Sequence, residues 1–256
     1  MNHDLAVALS SVVFARSLGI EPDPWQSEVL RSDSKRIILN CARQTGKSSI
    51  VAILALHHAL YIDKSMVIII SHTLQQAAET FRKCHDYFRQ IAQPVLSITQ
   101  SAQRLELKNG SRIITLTGQR PDSIRGFSNV SLLIIDEAAQ VSDEAYSVVC
   151  PMLAVSGGRI ILLSTPHGKQ GFFFEAWENE DEWLKIAVNA DQCPRITPEF
   201  LAEERRKHSA WVFQQEYFCE FHDTITSVFS RDVIDRAFVN RPARSIDFMD
   251  EAEDSL

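Results

Sequence analysis

The chain has 256 residues, of which 45% are hydrophobic and 23% charged, with a formal net charge of −7 at pH 7. This length and composition suit one large globular α/β domain, with or without a small appendage. The negative charge excludes a uniformly basic nucleic-acid coat, so any nucleic-acid contact must use a local patch. No apolar run reaches the roughly 20 residues that span a bilayer. The five cysteines lack a Cys-x-x-Cys pair, which predicts neither a zinc site nor a disulfide framework and favours a reducing cytosol.

Apolar runs alternate with helical patterns along most of the chain. In the first half we predict a helix (5–18), a short helix from Trp25, a buried strand (36–40), a helix (48–61), a strand (66–71) and a helix (74–91). In the second half we predict a β-hairpin (104–116), a polar loop (118–127), a strand (132–137), a helix (143–153) and two further strands (158–163 and 184–188). Such alternation predicts an α/β fold with a doubly wound, mostly parallel sheet.

The segment 41–48 reads Cys-Ala-Arg-Gln-Thr-Gly-Lys-Ser and joins the first predicted strand to a helix. This is the context of a P-loop, in which backbone N–H groups and a helix N-terminus face an anion. We expect Lys47 to reach the β- and γ-phosphates and the Ser48 hydroxyl to bind Mg²⁺. Cys41 replaces the usual first glycine. The remaining predicted phosphate-binding residues are Arg43, Gln44, Thr45 and Gly46.

Two consecutive acids, Asp136 and Glu137, end the strand predicted over 132–137. We expect this strand to lie next to the P-loop strand, where Asp136 would hold Mg²⁺ through water. Glu137 would then polarise the water that attacks the γ-phosphate. The alternative is that the two acids only cap the following helix.

Four other residues fit the same site, each with a structural alternative. The amide of Gln26 could pair with adenine and select ATP, or it could be an exposed side chain at a helix start. Ser164 and Thr165 could hydrogen-bond Glu137 or a water at the γ-phosphate, or they could form a helix N-cap. Arg125 lies on a polar loop from which a neighbouring subunit could present an arginine finger, or it could be a solvated loop charge.

Four further basic residues are interpreted as possible contacts to phosphate or DNA. A guanidinium inside the P-loop, that of Arg43, can bind phosphate oxygens bidentately, although a salt bridge outside the site is the alternative. The predicted hairpin carries Arg104, Lys108 and Arg112 around an Asn-Gly turn. A solvated face is the favoured interpretation of this basic hairpin, and a duplex-DNA contact is the other.

Together these motifs make the chain resemble the ATPase domain of the large terminase subunit of tailed bacteriophages. The resemblance covers about residues 20–235. It rests on the motifs Trp25-Gln26, Arg43 to Ser48, Arg120 to Gly126, Ile134 to Ala139 and Ser164 to Gly168. It implies a P-loop ATPase that uses ATP and Mg²⁺ to drive double-stranded viral DNA into a procapsid. It also implies a homo-oligomeric ring of five subunits on the portal, a small terminase subunit as partner, no membrane, and the host bacterial cytoplasm.

The domain organisation expected from these patterns is a P-loop core over 1–180, a small lid over 181–235 and a tail or linker over 236–256. Family members also carry a C-terminal nuclease of RNase H type. No strand-borne acid cluster follows the lid here, so no nuclease activity is expected of this chain. Two alternatives are a superfamily 2 helicase-like ATPase, for which too few residues follow Ser164, and a non-hydrolysing regulatory module, against which Glu137 argues.

Overall fold

The computed structural model describes residues 3–91, 95–179 and 181–223, and one compact unit extends from Met1 to His222. The helices of the described ranges are α1 (His3–Leu9), α2 (Ser11–Ser17), α3 (Pro24–Arg31), α4 (Lys47–Tyr61), α5 (Leu74–Gln90), α6 (Asp143–Val149), α7 (Pro151–Ser156), α8 (Gly171–Asn179), α9 (Pro198–Lys207) and α10 (Ala210–Phe218). The strands are β1 (Arg36–Cys41), β2 (Met66–Ser71), β3 (Ser97–Gln100), β4 (Arg104–Leu107), β5 (Arg112–Thr117), β6 (Leu132–Asp136), β7 (Arg159–Ser164) and β8 (Leu184–Val188).

The eight strands form one sheet in the order β3-β4-β5-β2-β6-β7-β1-β8. The last six strands in this order pair in parallel with their neighbours; they are β5, β2, β6, β7, β1 and β8. Strands β3 and β4 add an antiparallel edge. The fold class expected from the sequence is therefore confirmed: the protein has an α/β fold with a mostly parallel sheet of the P-loop NTPase type.

Helices cover both faces of the sheet. Ile37 and Leu39 of β1 point into an apolar cluster with residues of α2 to α5, whereas Ile38 points into a second cluster with residues of α6 to α8. All three side chains are fully buried. Because both faces are covered, the central strands are continuous apolar runs rather than alternating ones.

Two predicted helices are each divided in two. The helix expected over 5–18 breaks at Ser10, whose extended backbone and side chain cap α2. The helix expected over 143–153 breaks between Cys150 and Pro151. Proline has no N–H to continue the hydrogen-bond ladder, and it is favoured at the first position of a new helix.

The structure also contains two elements that the sequence did not predict, β3 and α8. Strand β3 pairs antiparallel with β4 and forms the edge of the sheet. The predicted hairpin itself is present, and Gly110 of its turn has a φ of 82°, which favours glycine. Gly158, before β7, is needed for a different reason: a Cβ there would lie 2.2 Å from the Val130 carbonyl oxygen.

The expectation that the acid-bearing strand lies beside the P-loop strand is wrong. Strand β7 lies between β1 and β6 and pairs in parallel with both. The sequence of an apolar strand carries little information about its neighbours in a parallel sheet. As a result, the residues that end β7 are placed between the P-loop and the acid pair.

The P-loop core was predicted to end at residue 180, but the compact unit of the structure continues past that position. Strand β8 follows that position and pairs with β1 in the central sheet. Residues 189–222 are here called the lid segment and contain α9 and α10. Phe213 and Tyr217 of α10 pack around Ala42 at the start of the P-loop. Residues 224–235 of the predicted lid and the predicted tail lie outside the described residues. None of the described helices is long and apolar enough to cross a membrane.

Candidate nucleotide-binding site

The P-loop joins the end of β1 to the start of α4. Gln44 and Gly46 both have positive φ, 61° and 90°, which turns the chain so that α4 begins at Lys47. A Cβ on Gly46 would lie 3.0 Å from Nε2 of Gln26, so glycine also avoids a close contact there. The N-terminus of α4 thus faces the site, as phosphate binding requires.

Cys41 does not disturb this loop, because it is still part of a strand. Its backbone pairs with Val188 of β8, and its side chain is fully buried. Burial also raises the pKa of its thiol, so it is an unreactive packing residue. A glycine is therefore not required at the first position of this P-loop.

A cavity of about 570 Å³ lies beside the P-loop. It is lined by most of the predicted site residues, namely Arg43, Gln44, Gly46, Lys47, Ser48, Glu137 and Thr165. Three lining residues were not predicted: Gln76 and Lys83 from α5, and Gln140 after β6. The structure therefore brings the two main motifs together around one polar cavity.

Glu137 faces the P-loop lysine across this cavity. Its Oε1 lies 3.8 Å from Nζ of Lys47, and Ser164 Oγ donates to its Oε2 at 3.5 Å. Burial raises the pKa of Glu137, Lys47 opposes that effect, and Asp136 adds to it. Glu137 is also a non-glycine residue with φ of 52°, a strained conformation typical of functional positions.

Asp136, at the end of β6, is held by two hydrogen bonds. The hydroxyl of Thr80 in α5 donates to Oδ2 at 2.6 Å, and the backbone N–H of Glu137 donates to Oδ1 at 3.0 Å. Asp136 and Thr80 are 4% and 2% exposed. Thr80 fixes the orientation of the predicted metal-binding carboxylate, and no motif in the sequence predicts this role.

The lid segment is bonded to the P-loop. Arg43 forms an ion pair with Glu216 of α10, and its backbone N–H donates to the Glu216 carbonyl at 3.2 Å. Asn40, at the end of β1, donates through its side chain to the carbonyl of Cys219 at 2.9 Å. Arg43 thus lines the cavity, as expected of a phosphate ligand, and it also forms a salt bridge, as the alternative interpretation expected.

Gln26 is buried against the P-loop rather than exposed. Its Oε1 accepts from the backbone of Asp23 at 2.9 Å, and its Nε2 donates to the Thr45 carbonyl at 3.3 Å. Arg195 of the lid segment reaches the same place: Nη2 contacts Asp23 Oδ2 at 2.7 Å and the Thr45 carbonyl at 2.9 Å. Arg195 was not predicted, and it ties the lid segment to both partners of Gln26.

Arg125 lies in a different environment. Its side chain is 66% exposed and its Nε lies 3.5 Å from Asp122 Oδ1. With Phe127 and Val155 it lines a second cavity, of about 390 Å³, beside α7. Val155 is 91% exposed, so Arg125 borders an apolar surface.

The mostly parallel sheet, the P-loop and the acid at the end of β6 define a P-loop NTPase fold. The family model described as "Terminase large subunit, T4likevirus-type, N-terminal" matches residues 38–236. The chain belongs to this family of terminase large subunits and corresponds to its N-terminal part.

Individual relatives agree with this assignment. The chain is 26% identical to the large terminase subunit of Thermus virus P23-45, over 85% of this chain and 52% of that protein. It thus spans about half the length of that relative. The large terminase ATPase domain of Thermus phage P74-26 is 25% identical, with a TM-score of 0.73 over 82% of this chain and 97% of that one. A large terminase of a thermophilic bacteriophage, solved with ADP, shares the fold at 12% identity, with a TM-score of 0.63 over 80% of this chain and 52% of that one.

Proposed function

We propose that this chain is the ATP-hydrolysing motor domain that drives double-stranded viral DNA into a procapsid. The observation that supports it best is the placement of Glu137 3.8 Å from Lys47, at one cavity between the P-loop and the end of β6. The likeness to a terminase ATPase domain adds support, as does the ADP in the large terminase of the thermophilic bacteriophage.

In this proposal the loop residues bind the phosphates of ATP. The backbone N–H groups of residues 44–46 and the N-terminus of α4 face the anion, and the ammonium of Lys47 contacts the β- and γ-phosphates. Lys47 is only 7% exposed, so a bound phosphate would meet a charge that is poorly screened by water.

Mg²⁺ fits the oxygen ligands beside the loop. Asp136 keeps unused lone pairs on both oxygens, and Ser48 adds a hydroxyl at the cavity wall. Among the described residues no three His, Cys, Asp or Glu side chains form a metal site by themselves. This agrees with Mg²⁺, which is usually held by one or two carboxylates together with substrate phosphates and water. When bound, Mg²⁺ would neutralise charge on the phosphates.

Glu137 would act on the attacking water. Its carboxylate lies at the cavity and accepts from Ser164, which ends the strand between the two motifs. Ser164 and Thr165 would therefore respond to the presence of the third phosphate and orient Glu137. A carboxylate whose pKa is raised by burial is a stronger base than a solvated one.

We assign the selection of adenine to Gln26. Both atoms of its amide already bond to the protein, but each keeps one further donor or acceptor position. We expect ATP to be used in preference to GTP, and equal use of both would contradict the assignment. Because Gln26 also caps α3, the unfolding midpoint of Gln26→Ala must be measured beside its nucleotide preference.

Arg125 is proposed to act as an arginine finger between subunits. Arg125 is exposed next to an apolar surface, as expected of a finger presented to a neighbouring copy. Arg43 is the candidate for action within one subunit. Mixing Arg125→Ala with Glu137→Gln should restore part of the activity, because each variant supplies what the other lacks at one interface. If a verified mixed oligomer stays inactive, Arg125 does not act in trans.

The proposed partners are duplex DNA, a ring of five copies on the portal and a small terminase subunit, in the host cytoplasm. DNA contact should be electrostatic and independent of sequence. The basic hairpin of Arg104, Lys108 and Arg112 remains the candidate surface, although Glu106 pairs with Arg104 and lies opposite Arg112. If this hairpin binds DNA, a triple alanine variant should lower the salt dependence of binding; an unchanged dependence would place the contact elsewhere.

The decisive experiment is ATP hydrolysis with and without duplex DNA, in the wild type and in Lys47→Ala. Mg²⁺-dependent turnover that needs Lys47 is expected. Nucleotide binding without turnover under all conditions would instead indicate a regulatory module. Stimulation by duplex DNA of unrelated sequences is the result expected of a packaging motor.

A further inference from the structure

Helix α5 presents a polar stripe to the nucleotide cavity. Gln76, Thr80 and Lys83 are spaced i, i+4 and i+7, so they lie on one helix face. Gln76 and Lys83 line the cavity, and Thr80 bonds to Asp136 between them. On the side that packs against α4, the buried thiol of Cys84 lies 3.5 Å from the carbonyl oxygen of Ala52.

Lys83 is a cation at this cavity without an ion pair to any described residue. Glu79, four positions before Lys83 on the same helix, pairs with Arg82 instead. Burial lowers the pKa of Lys83, and Asp136 partly opposes that effect. Removing an ammonium from water is costly unless an anion compensates, so a cation in this position favours the binding of a counter-ion.

Other residues of the cavity show which part of a nucleotide would lie near Lys83. Gln26, the proposed adenine contact, is beside Gly46 and the Thr45 carbonyl. Lys83 is instead on the helix that holds Asp136, and its charge interacts with those of Asp136 and Lys47. Lys83 is therefore at the phosphate and metal end of the site.

We propose that Lys83 is a second phosphate-binding lysine, which contacts the terminal phosphate of ATP and so distinguishes ATP from ADP. This inference rests on the proposed function of the same cavity. The ammonium would donate a charge-assisted hydrogen bond to a γ-phosphate oxygen, while Lys47 spans the β- and γ-phosphates. Because Lys83 belongs to α5 and not to the P-loop, it would also make the position of α5 sensitive to the third phosphate.

The test is direct binding of ATPγS and of ADP to Lys83→Met, which keeps the side-chain volume and removes the charge. The affinity for ATPγS should fall about tenfold or more, the scale of one hydrogen bond to a charged group. The affinity for ADP should change less than about threefold, because ADP lacks the contacted phosphate. Lys83→Arg should retain most of the preference for ATPγS.

Arg82→Gln is the matched control. It removes one positive charge from the neighbouring position on α5, where the side chain is 68% exposed and pairs with Glu79. It should bind both nucleotides like the wild type. The thermal unfolding midpoint of each variant shows whether the fold is intact. If Lys83→Met fails to fold, Lys83→Gln with the same pair of ligands gives the answer.

The outcomes separate this inference from the proposed function. If Lys47→Ala loses nucleotide and Lys83→Met binds ATPγS normally, Lys83 has no phosphate role and the proposed function is unaffected. Equal weakening of both nucleotides would assign Lys83 to the orientation of Asp136 and would overturn the inference. If the wild type binds neither nucleotide, both proposals are wrong.

Discussion

Arg43 of the P-loop forms an ion pair with Glu216 of α10. The arginine side chain is 62% exposed and that of the glutamate 17%, so the ion pair is partly open to solvent and links the lid segment to the P-loop. The same guanidinium is the proposed phosphate ligand. A phosphate in the site and the carboxylate of Glu216 would therefore compete for Arg43.

This competition predicts that Glu216→Gln binds ATPγS more tightly than the wild type. A partly exposed ion pair contributes about 0.2–1 kcal/mol, so the gain should be up to about fivefold. Calorimetry with ATPγS measures the difference. Glu199→Gln, which removes the same charge from the first turn of α9, is the control and should bind like the wild type. Weaker binding by Glu216→Gln would show that Arg43 does not exchange its partner.

Replacement of Glu137 by glutamine should separate binding from chemistry. The amide keeps the shape of the side chain but is not a base, so turnover should fall by about 10²-fold or more. ATPγS affinity should be retained. Steady-state hydrolysis measured beside calorimetry tests both statements. The exposed acid Glu144, changed to glutamine, should leave both unchanged. A Glu137→Gln variant with wild-type turnover would remove Glu137 from the mechanism.

The same carboxyl predicts a pH dependence. Burial raises the pKa of Glu137, and the proposed base must be ionised to act. As the pH falls through this raised pKa, kcat should be lost, at a higher pH than for a solvated glutamate. The profile is to be measured at saturating ATP. The residual activity of Glu137→Gln should lack this acidic decline. Titration of the nucleotide would affect both proteins equally, so this comparison distinguishes the two causes. An identical decline in both proteins would assign it to another group.

Loss of the Thr80 hydroxyl should affect both stability and metal use. Thr80→Val keeps the shape but leaves Oδ2 of the buried Asp136 without its 2.6 Å donor. An unsatisfied buried polar group costs about 1–3 kcal/mol, which denaturant unfolding without metal can measure. The Mg²⁺ concentration for half-maximal hydrolysis should also rise. Thr80→Ser keeps the hydroxyl and should approach the wild type in both measurements; a Val variant equal to wild type in both would show that this bond is dispensable.

Local patterns account for what the sequence predicts well. The P-loop and the Asp136-Glu137 pair are short motifs at the junction of a strand and the segment after it, so their neighbours in sequence encode their conformation. Partners from distant segments were missed. Thr80 lies 56 positions from Asp136, and Glu216 lies 173 positions from Arg43. Only packing of complete elements brings such pairs together.

The position of β7 illustrates the same limit. Its apolar sequence predicts a buried strand, but any of the central strands could occupy the place between β1 and β6. A signal for α5 was present, because Gln76, Thr80 and Lys83 form a polar stripe on a helix that follows a buried strand. Arg195 offered no comparable pattern. Its role is apparent only from its contacts with Asp23 and Thr45.

The neighbours of β1 have a consequence for synthesis of the chain. Arg36 at the start of this strand pairs with Ile160, and Cys41 at its end pairs with Val188, so both flanking strands are made long after it. Strand pairs that are distant in sequence form slowly, because a long loop must be closed first. While the chain emerges from the ribosome, β1 stays without both of its neighbouring strands until Val188 is available. Up to that point the unpaired edges of this strand are open to aggregation or chaperone binding.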